Sequence, residues 1–459
     1  MPCAQNRPGC SGLNTQGGCP LNTLNPITED ALSPQADFGS GARCRFCDTV
    51  LEHTFVDLGM SPLCQTHIEP GRRNLMEPFY PLHVWVCHQC YLVQLEEYVA
   101  PGEIFSDYAY FSSYSDSWVE HARRYTREVS RRFRIGPARF VVEVASNDGY
   151  LLQHFAAAGI RVRGIEPAAN VAAAAEARGI PTTVQFFGAA TAREFAARHG
   201  KADLLLGNNV LAHVPDINDF VEGLRILLAP GGVVTMEFPH LLKLMDGNQF
   251  DTIYHEHFSY LAFSVVERIF AAHQLTLFDV DELPTHGGSL RIYAGHAEDA
   301  SQPVSSRVSA LRDHERQQGL LSLSAYSGFQ ERVKAAKRKL LAFLIDVKQT
   351  GGSVVGYGAP GKGNTLLNYC GIGTDFLDFT VDRSPHKQGR YTPGSRIPIL
   401  DPDAIRTHQP DYVLILPWNL QGEIQGQLGF IRAWGGQCVV PIPEVTVLSW
   451  PSGSGAAMA

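Results

Sequence analysis

The feature that most constrains the fold is a regular alternation of strand and helix patterns that begins at Arg139. Buried strands are indicated by FVVEVA, RVRGIEP, ADLLLGNNVL and VVTMEFP, and the helices between them by GYLLQHFAAAG, NVAAAAEARG and DFVEGLRILLAPGG. Strands separated by helices of this length pair in parallel. The pattern therefore predicts an α/β fold with a doubly wound sheet.

A second strand–helix pattern follows towards the C-terminus. After a long helical stretch at about 304–350, GGSVVGYGAPGKGNTLL opens this pattern, and FLDFTVD and DYVLILPW continue it. A chain of 459 residues is too long for one hydrophobic core. We therefore predict a disordered extension at 1–40, a metal-binding domain at 41–100, a central α/β domain at 101–300, a second α/β domain at 301–447 and a disordered tail at 448–459.

Composition argues against several kinds of partner. The net charge is −8, whereas nucleic acids and anionic membranes are bound by basic surfaces. No apolar run approaches the roughly 18–20 residues that span a bilayer, and the N-terminus lacks the basic and apolar segments of a secretory signal. We therefore expect a cytoplasmic protein, a monomer or weak homo-oligomer, that acts on a small molecule without nucleic acid or membrane.

Four cysteines form two CxxC pairs, Cys44 with Cys47 and Cys87 with Cys90. Such pairs supply the four thiolates of a tetrahedral zinc site, and in a reducing cytosol they indicate metal rather than disulfides. Because four cysteines leave no open coordination position, we predict structural Zn²⁺ rather than catalytic zinc. A second metal site among the irregularly spaced cysteines of residues 1–40 stays open, although a flexible tail is favoured there.

The loop EVASNDGYLL at 143–152 joins a strand to a helix, which is where α/β folds bind ligands. It lacks the GxGxxG of a dinucleotide site and is closer to the acidic–x–Gly–x–Gly–x–Gly loop that binds S-adenosylmethionine (SAM) in class I methyltransferases. Ala145 and Asn147 replace the first two glycines, and Gly149 keeps the third. Glu143 is suited to the amino-acid end of SAM, and Glu166, at the end of the next strand, to its ribose hydroxyls.

Three other segments carry polar residues that suit a ligand site. Asn208, Asn209 and His213 follow the fourth strand, where they could contact the cofactor and substrate or simply cap a turn and a helix start. The loop GYGAPGKG at 356–363 contains GxGxxG, which leaves a second dinucleotide cofactor or a plain tight turn open. LPTHGGSLR at 283–291 either lines the pocket beside Ser289 or forms a hairpin turn.

The stretch DTIYHEHFSY at 251–260 has three interpretations: a metal site, an acid/base cluster, or polar residues on a core strand. It lacks the HExxH spacing that places two histidines on one helical face. An extended backbone would point His255 and His257 to one side and Tyr254 and Glu256 to the other. Tyr254, Glu256 and His257 converge only if the backbone turns, so we predict a loop that carries an acid/base cluster.

Together, CxxC…CxxC, EVASNDGYLL, NNVLAHV, YHEHFSYL, LPTHGGSLR and GYGAPGKGNTLLNY resemble the SAM-dependent sugar C-methyltransferases of deoxysugar and antibiotic biosynthesis, over about residues 41–445. The resemblance implies an N-terminal zinc domain, a central class I SAM methyltransferase domain and a C-terminal Rossmann-like α/β domain. It also implies that a histidine base forms an enolate of a dTDP-4-keto-6-deoxysugar, which is then methylated at carbon 3.

By family position, the resemblance assigns the base to His257, places Tyr254 and Glu256 beside it, and has His213 facing them across the pocket. Tyr254 would hydrogen-bond the keto or enolate oxygen, and Glu256 would orient a histidine or bind a polar group of the sugar. Tyr108 would contribute an aromatic ring to the pocket. Lys362 and Ser289 would bind the nucleotide sugar, with Lys362 in contact with a phosphate.

Three other functions compete with this one. A SAM-dependent O- or N-methyltransferase on another small metabolite would use the same cofactor site. A nucleotide-sugar oxidoreductase would use GYGAPGKG for NAD, but no Tyr-x-x-x-Lys pair follows either glycine loop at the usual distance. A non-enzymatic interaction module would account for the cysteine pairs and leave YHEH unexplained.

Overall fold

The computed structural model describes residues 41–105 and 111–450; the predicted extension at 1–40, residues 106–110 and residues 451–459 of the predicted tail lie outside these ranges. Its strands are β1 His53–Ser61, β2 Tyr80–Val86, β3 Val93–Leu95, β4 Phe140–Val144, β5 Arg161–Ile165, β6 Thr182–Thr183, β7 Ala202–Asn208, β8 Leu228–Pro239, β9 Ser259–Tyr260, β10 Leu275–Leu283, β11 Ser289–His296, β12 Val354–Tyr357, β13 Thr380–Val381, β14 Ile399–Leu400, β15 Tyr412–Ile415, β16 Gln437–Val440 and β17 Thr446–Val447. Its helices are α1 Pro101–Phe105, α2 Asp116–Phe133, α3 Leu152–Ala157, α4 Ala169–Ala177, α5 Ala189–His199, α6 Ile217–Leu227, α7 Leu241–Asp246, α8 Phe263–Ala272, α9 Ser306–Gln317, α10 Phe329–Gln349, α11 Gly361–Cys370, α12 Ala404–His408 and α13 Gln421–Gln427.

The central sheet has seven strands in the order β10-β11-β8-β7-β4-β5-β6. The strands β6, β5, β4, β7 and β8 are parallel, as the alternating pattern predicted, and β11 lies antiparallel between β8 and β10. Every residue of β4 is buried, which agrees with a strand that is covered by helices on both faces. This arrangement confirms the predicted class I methyltransferase fold.

The helices of this domain are amphipathic and turn their apolar faces to the sheet. Helix α6 buries Ile217, Phe220, Val221, Leu224 and Leu227, which recur at the three- and four-residue spacing of one helical face. Asp216 begins the helix by accepting a hydrogen bond from the backbone N–H of Asp219 at 2.9 Å.

A smaller four-stranded sheet belongs to the cysteine-containing region and has the order β1-β2-β3-β9. Its first three strands are antiparallel neighbours in sequence, but β9 comes from the YHEHFSY segment about 165 residues later in the chain. Val93 pairs with Tyr260 and Gln94 with Ser259. The cysteine-containing sheet is therefore completed by residues directly adjacent to the suspected acid/base cluster.

The C-terminal sheet has the order β14-β13-β12-β15-β16-β17 and is parallel except for β17, which confirms the predicted Rossmann-like domain. The long helical stretch predicted at about 304–350 is two helices, α9 and α10, because the chain turns at 318–328, where Gly319 has φ +81°. Leu448 and Trp450 pack against this sheet, so its ordered part extends past the predicted boundary at 447. The described residues from Ala42 onwards form one compact unit.

Candidate active site

A cavity of about 990 Å³ lies at the carboxyl ends of β4, β5 and β7, where ligands bind in α/β sheets. Its walls come from all three sheets: the cofactor-type loop of the central domain, the YHEH segment, a loop of the cysteine-containing region and the start of α11. The volume is at the upper end of the range for sites that hold one small ligand. It therefore has room for a cofactor and for at least part of a second molecule.

The loop 145–149 has the backbone shape of a glycine loop although two of its glycines are replaced. Ala145, Asn147 and Gly149 have φ values of +55°, +50° and +76°, the left-handed conformation that glycine favours. Ala145 and Asn147 line the cavity, whereas Gly149 lies behind the loop and faces Ile180. A Cβ on Gly149 would come within 3.0 Å of the Ile180 side chain, so this position requires glycine for packing as well as for its backbone conformation.

Buried carboxylates surround this loop. Glu166 lines the cavity, and its two oxygens accept backbone N–H hydrogen bonds from Asn147 and Ala168, both at 2.9 Å. Glu143 is fully buried behind the cavity wall, and Oε2 of its carboxylate has no hydrogen-bond partner among the described residues. Burial, together with the nearby negative charges of Glu166 and Asp148, raises the pKa of Glu143 well above its usual value.

This environment fits SAM, which carries a sulfonium and an ammonium group. A cationic ligand would offset the repulsion between the buried carboxylates, and the second lone pair of each Glu166 oxygen remains available to a ribose hydroxyl. Asn208 and Asn209, at the end of β7, also line the cavity, and the Asn208 amide nitrogen is buried without a partner in the described part of the chain. The predicted cofactor residues thus lie together at one edge of the sheet. All of them line the cavity except Glu143 and Gly149, which lie behind its wall.

The YHEH segment forms a turn, as predicted. The backbone N–H of His257 donates to the Tyr254 carbonyl at 2.9 Å, which brings the Tyr254 and His257 rings to a centroid distance of 4.0 Å. Tyr254, Glu256 and His257 all line the cavity, while His255 lies outside it, with Nε2 3.1 Å from the Pro81 carbonyl oxygen. The backbone turn thus separates the two histidines and gathers the predicted cluster.

In the neutral ring of His257, the proton lies on Nδ1. Its Nδ1–H donates to the Thr252 carbonyl at 2.8 Å, so in the neutral ring Nε2 is the basic nitrogen. Burial lowers the pKa of His257 well below 6.5, and the neighbouring His213 lowers it further. His257 is therefore neutral at pH 7 and able to accept a proton at Nε2.

His213 lies next to His257 rather than across the cavity from it. The two ring centroids are 4.7 Å apart, and the backbone N–H of Phe258 donates to the Ala212 carbonyl at 2.8 Å. Burial lowers the pKa of His213 to about 4, so it is also neutral at pH 7. Its Nδ1 is buried without a hydrogen-bond partner among the described residues.

The remaining predicted substrate residues have different outcomes. Lys362 lines the cavity. Ser289 does not: it is buried at the start of β11, and its hydroxyl donates to the Thr285 carbonyl at 2.9 Å, which corrects the expectation that it lines the pocket. Tyr108 lies outside the described residues.

Residues that the sequence did not single out also line the cavity. His286, three positions before Ser289, reaches it from a left-handed backbone conformation, and its Nε2 accepts a hydrogen bond from the Asn209 amide at 3.2 Å. Gln65 and His67 enter from the loop between β1 and β2, and Lys387 and Arg390 follow β13. The position of Lys387 and Arg390 after a strand could have indicated a site, whereas nothing local marks Gln65 or His67.

The second glycine loop makes close packing contacts rather than a dinucleotide cradle. A Cβ on Gly358 would come within 2.7 Å of Pro417, and one on Gly361 within 2.9 Å of the Cys64 sulfur. The Asp382 carboxylate, at the strand end where a dinucleotide site needs a ribose partner, accepts the backbone N–H of Ala359 at 2.8 Å. Glycine is therefore required at positions 358 and 361 for packing against Pro417 and Cys64.

The four predicted metal ligands converge. The sulfur atoms of Cys44, Cys47, Cys87 and Cys90 lie within 4.8 Å of one another, with Cys44–Cys90 and Cys47–Cys87 at 3.5 Å. This spacing and the four-sulfur donor set fit tetrahedral zinc. Glu52, His53 and His88 form a second group of possible ligand atoms, with Glu52 and His88 exposed on the surface.

Comparison with known proteins agrees with this architecture. Three family models match the chain: a zinc binding domain at residues 44–105, a methyltransferase domain at 117–280 and a C-methyltransferase C-terminal domain at 284–443. The C-methyltransferase NovU of Streptomyces niveus is 38% identical over 409 residues, covering 88% of this chain and 96% of that protein.

Several solved structures match less than half of the chain, at low similarity. They include a SAM-dependent methyltransferase from Clostridium acetobutylicum (11% identity, 39% of this chain, 92% of that chain, TM-score 0.32) and magnesium protoporphyrin IX methyltransferase from Synechocystis with bound SAM (16%, 39%, 81%, TM-score 0.29). Scores this low add nothing to the assignment.

The three domain matches and the near full-length relative agree with the folded chain, which has a four-cysteine module, a class I SAM domain and a C-terminal α/β domain. The protein is an enzyme that uses SAM, and it belongs to the family of SAM-dependent sugar C-methyltransferases with an N-terminal zinc-binding domain.

Proposed function

We propose that the protein transfers a methyl group from SAM to the carbon next to the ketone of a nucleotide-linked 4-keto-deoxysugar, with His257 as the base. The observation that carries the proposal is the hydrogen bond from His257 Nδ1–H to the Thr252 carbonyl, which leaves Nε2 basic beside the cofactor loop in one cavity. A methyltransferase that forms a carbon–carbon bond needs such a base, because its nucleophilic carbon must first lose a proton.

The first step is removal of a proton from carbon 3 by His257 Nε2. The ketone at carbon 4 accepts the electron pair of the broken C–H bond, so that an enolate forms beside a newly protonated imidazole. Burial disfavours an isolated imidazolium, but the enolate charge beside it offsets that cost. When bound, SAM supplies the electrophilic methyl group that the enolate carbon takes up, and S-adenosylhomocysteine leaves.

Tyr254 and Glu256 complete the reaction centre. The Tyr254 ring lies 4.0 Å from that of His257, so its hydroxyl is suited to donate to an oxygen of the same sugar. Glu256 is 4% exposed and lies 3.6 Å from the Cys64 thiol, a contact that links it to the cysteine-containing region. His213 packs against His257 and keeps the base in a non-aqueous environment.

Cationic groups in the same cavity support a substrate with a diphosphate. Lys387 and Arg390 line its C-terminal wall, and the ten-residue helix α11 begins there with its N-terminus. Lysine, arginine and a helix N-terminus together form a favourable environment for phosphate. A sugar that is linked to a nucleoside diphosphate would thus reach from this wall to His257.

One incubation tests the proposal. The enzyme is mixed with dTDP-4-keto-6-deoxysugars in deuterated water, with and without SAM, and the sugars are analysed by mass spectrometry and NMR. We expect one deuterium at carbon 3 without SAM and one methyl group at the same carbon with it. Absence of both across a panel of keto-sugars would refute the proposal, and methylation of an oxygen or nitrogen without exchange would establish the O- or N-methyltransferase instead.

A further inference from the structure

We propose that Lys362 binds the ketone oxygen of the substrate, instead of its diphosphate, and stabilises the enolate as it forms. This inference rests on the proposed function and identifies the group that would carry out its most demanding electrostatic task. It reassigns a lysine whose position in a glycine-rich loop suggested a phosphate contact.

Lys362 is held in place by two side chains, one of which is in turn bound by a third. Its ammonium donates a hydrogen bond to the Asn419 side-chain oxygen at 2.8 Å and lies 4.8 Å from the centre of the Trp418 ring. The indole N–H of Trp418 in turn donates to the Asp251 carboxylate at 2.6 Å. A lysine has three N–H donors, so two remain for a ligand after the bond to Asn419.

The same group of side chains is joined to the base. Asp251 directly precedes Thr252, whose carbonyl holds His257 Nδ1. Asp251 is fully buried, and burial raises its pKa to about 6, while the charge of Lys362 and the hydrogen bond from Trp418 act in the opposite direction. The ammonium and the base are therefore positioned by neighbouring residues of one short segment.

The charge of Lys362 also reaches the reaction side of the cavity. Lys362 lines the same cavity as His257 and His286, whose pKa values are lowered mainly by burial and further by the Lys362 charge. Lys387 and Arg390, by contrast, form ion pairs with Asp382 and Glu69, respectively, and Lys387 also donates to the Ala359 carbonyl at 3.0 Å. The cavity thus has one cation associated with the histidines and two associated with the C-terminal wall, which matches the two negative centres of a nucleotide-linked enolate.

A buried ammonium suits the oxygen of an enolate better than that of a ketone. The ketone is neutral, so the ammonium gains most of its electrostatic interaction only as charge develops, which is the condition for lowering a barrier. The proton that leaves carbon 3 goes to His257 Nε2, and Lys362 keeps its own protons and donates a hydrogen bond. No further reactant is needed.

The test compares three lysine variants of the full-length enzyme. Lys362→Met removes the cation and keeps the side-chain length, and Lys387→Met does the same on the C-terminal wall. Lys337→Met is the matched control, since that ammonium also lies over an aromatic ring, 4.6 Å from Tyr369, but outside the cavity. For each variant, the saturated rate of deuterium exchange at carbon 3 and the affinity for thymidine 5′-diphosphate are measured.

We expect Lys362→Met to lower the saturated exchange rate by about 100- to 1,000-fold, the usual loss for one oxyanion donor, with diphosphate affinity changed less than about threefold. Lys387→Met should weaken diphosphate binding, and Lys337→Met should alter neither quantity. Retained diphosphate binding also shows that a slow variant is folded. Normal saturated exchange by Lys362→Met together with a loss of diphosphate affinity would overturn the inference, whereas absence of exchange by the unaltered enzyme would refute the proposed function itself.

Discussion

Replacing His257 by glutamine tests the base with a built-in comparison. The variant removes the imidazole and leaves a polar side chain of similar length near the Thr252 carbonyl. His255, two residues away, is the matched control because its Nε2 faces the Pro81 carbonyl and its ring does not line the cavity. The two histidines share the same turn, so a general disturbance of this segment would affect both variants.

The expected magnitude follows from the role of the residue. A positioned general base contributes about 10²- to 10⁴-fold to a rate, which corresponds to roughly 3–5 kcal/mol of barrier at about 1.4 kcal/mol for each factor of ten. The upper part of this range is expected here, because a 2.8 Å hydrogen bond already fixes Nδ1 and leaves Nε2 as the basic nitrogen. SAM affinity should change by less than about threefold, since the cofactor loop lies on other segments.

The assay is solvent deuterium exchange at carbon 3 without SAM, followed by mass spectrometry, with SAM affinity from calorimetry. His257→Gln should lose exchange while His255→Gln keeps it within a few fold. Exchange that survives in His257→Gln and is lost in His255→Gln would refute the assignment of the base. A large loss of SAM affinity in His257→Gln would show that the residue belongs to the cofactor site.

Two further predictions concern pH and the cofactor loop. Because burial lowers the pKa of His257 well below 6.5, the base is already unprotonated at neutral pH. The exchange rate should therefore be constant above pH 6.5 and fall only in more acidic solution. An inflection above pH 7 in the pH–rate profile would contradict this. Gly149→Ala and Gly159→Ala both place a side chain at positive φ (+76° and +73°), which costs about 1–2 kcal/mol. Only the new Cβ at 149 also meets a neighbouring side chain within 3.0 Å. Gly149→Ala should therefore lose more stability in thermal unfolding than Gly159→Ala, and only Gly149→Ala should bind SAM more weakly in calorimetry.

The parts of the fold that are encoded by local pattern could be predicted. The alternating strands and helices indicated the parallel sheet, the CxxC pairs indicated their joint site, and the argument that Tyr254, Glu256 and His257 need a turn was confirmed by the structure. Each of these depends on residues close in sequence or on a spacing set by metal geometry. The break between α9 and α10 was not predicted because the residues on both sides of the turn 318–328 carry a helical pattern.

The parts that depend on distant pairing could not be predicted. Strand β9 has only two residues, Ser259 and Tyr260, and becomes a strand because β3 offers it an edge. The same is true of His286, which reaches the cavity because the hairpin 284–288 places it there, whereas Ser289 starts the strand and turns inwards. The shape of the cofactor loop is a third example: Ala145 and Asn147 adopt left-handed conformations, and a Glu166 oxygen holds the Asn147 N–H in place.

The pairing of β9 with β3 joins the cysteine module to the segment that carries His257, and Arg45 extends that connection. Arg45 lies inside the first CxxC pair, and its guanidinium donates to the Pro215 carbonyl at 2.7 Å and packs over the Phe258 ring. Pro215 is two residues from His213, and Phe258 directly follows His257. Zinc that fixes the cysteine pair therefore also fixes the backbone on which both histidines stand.

Removal of zinc should consequently reduce catalysis before it reduces cofactor binding. A shift of about 1 Å in a catalytic group can lower a rate about 100-fold, so zinc-depleted enzyme should exchange carbon 3 slowly while SAM, held by the loop after β4, still binds. Arg45→Met tests the connection without removing the metal. The variant is first dialysed against a weak chelator, which strips cations from the exposed Glu52–His53–His88 group. It should then retain one zinc ion and exchange the proton at carbon 3 about 10- to 100-fold more slowly. Full activity in Arg45→Met would show that this arginine does not transmit the effect of the metal site to the two histidine-bearing segments.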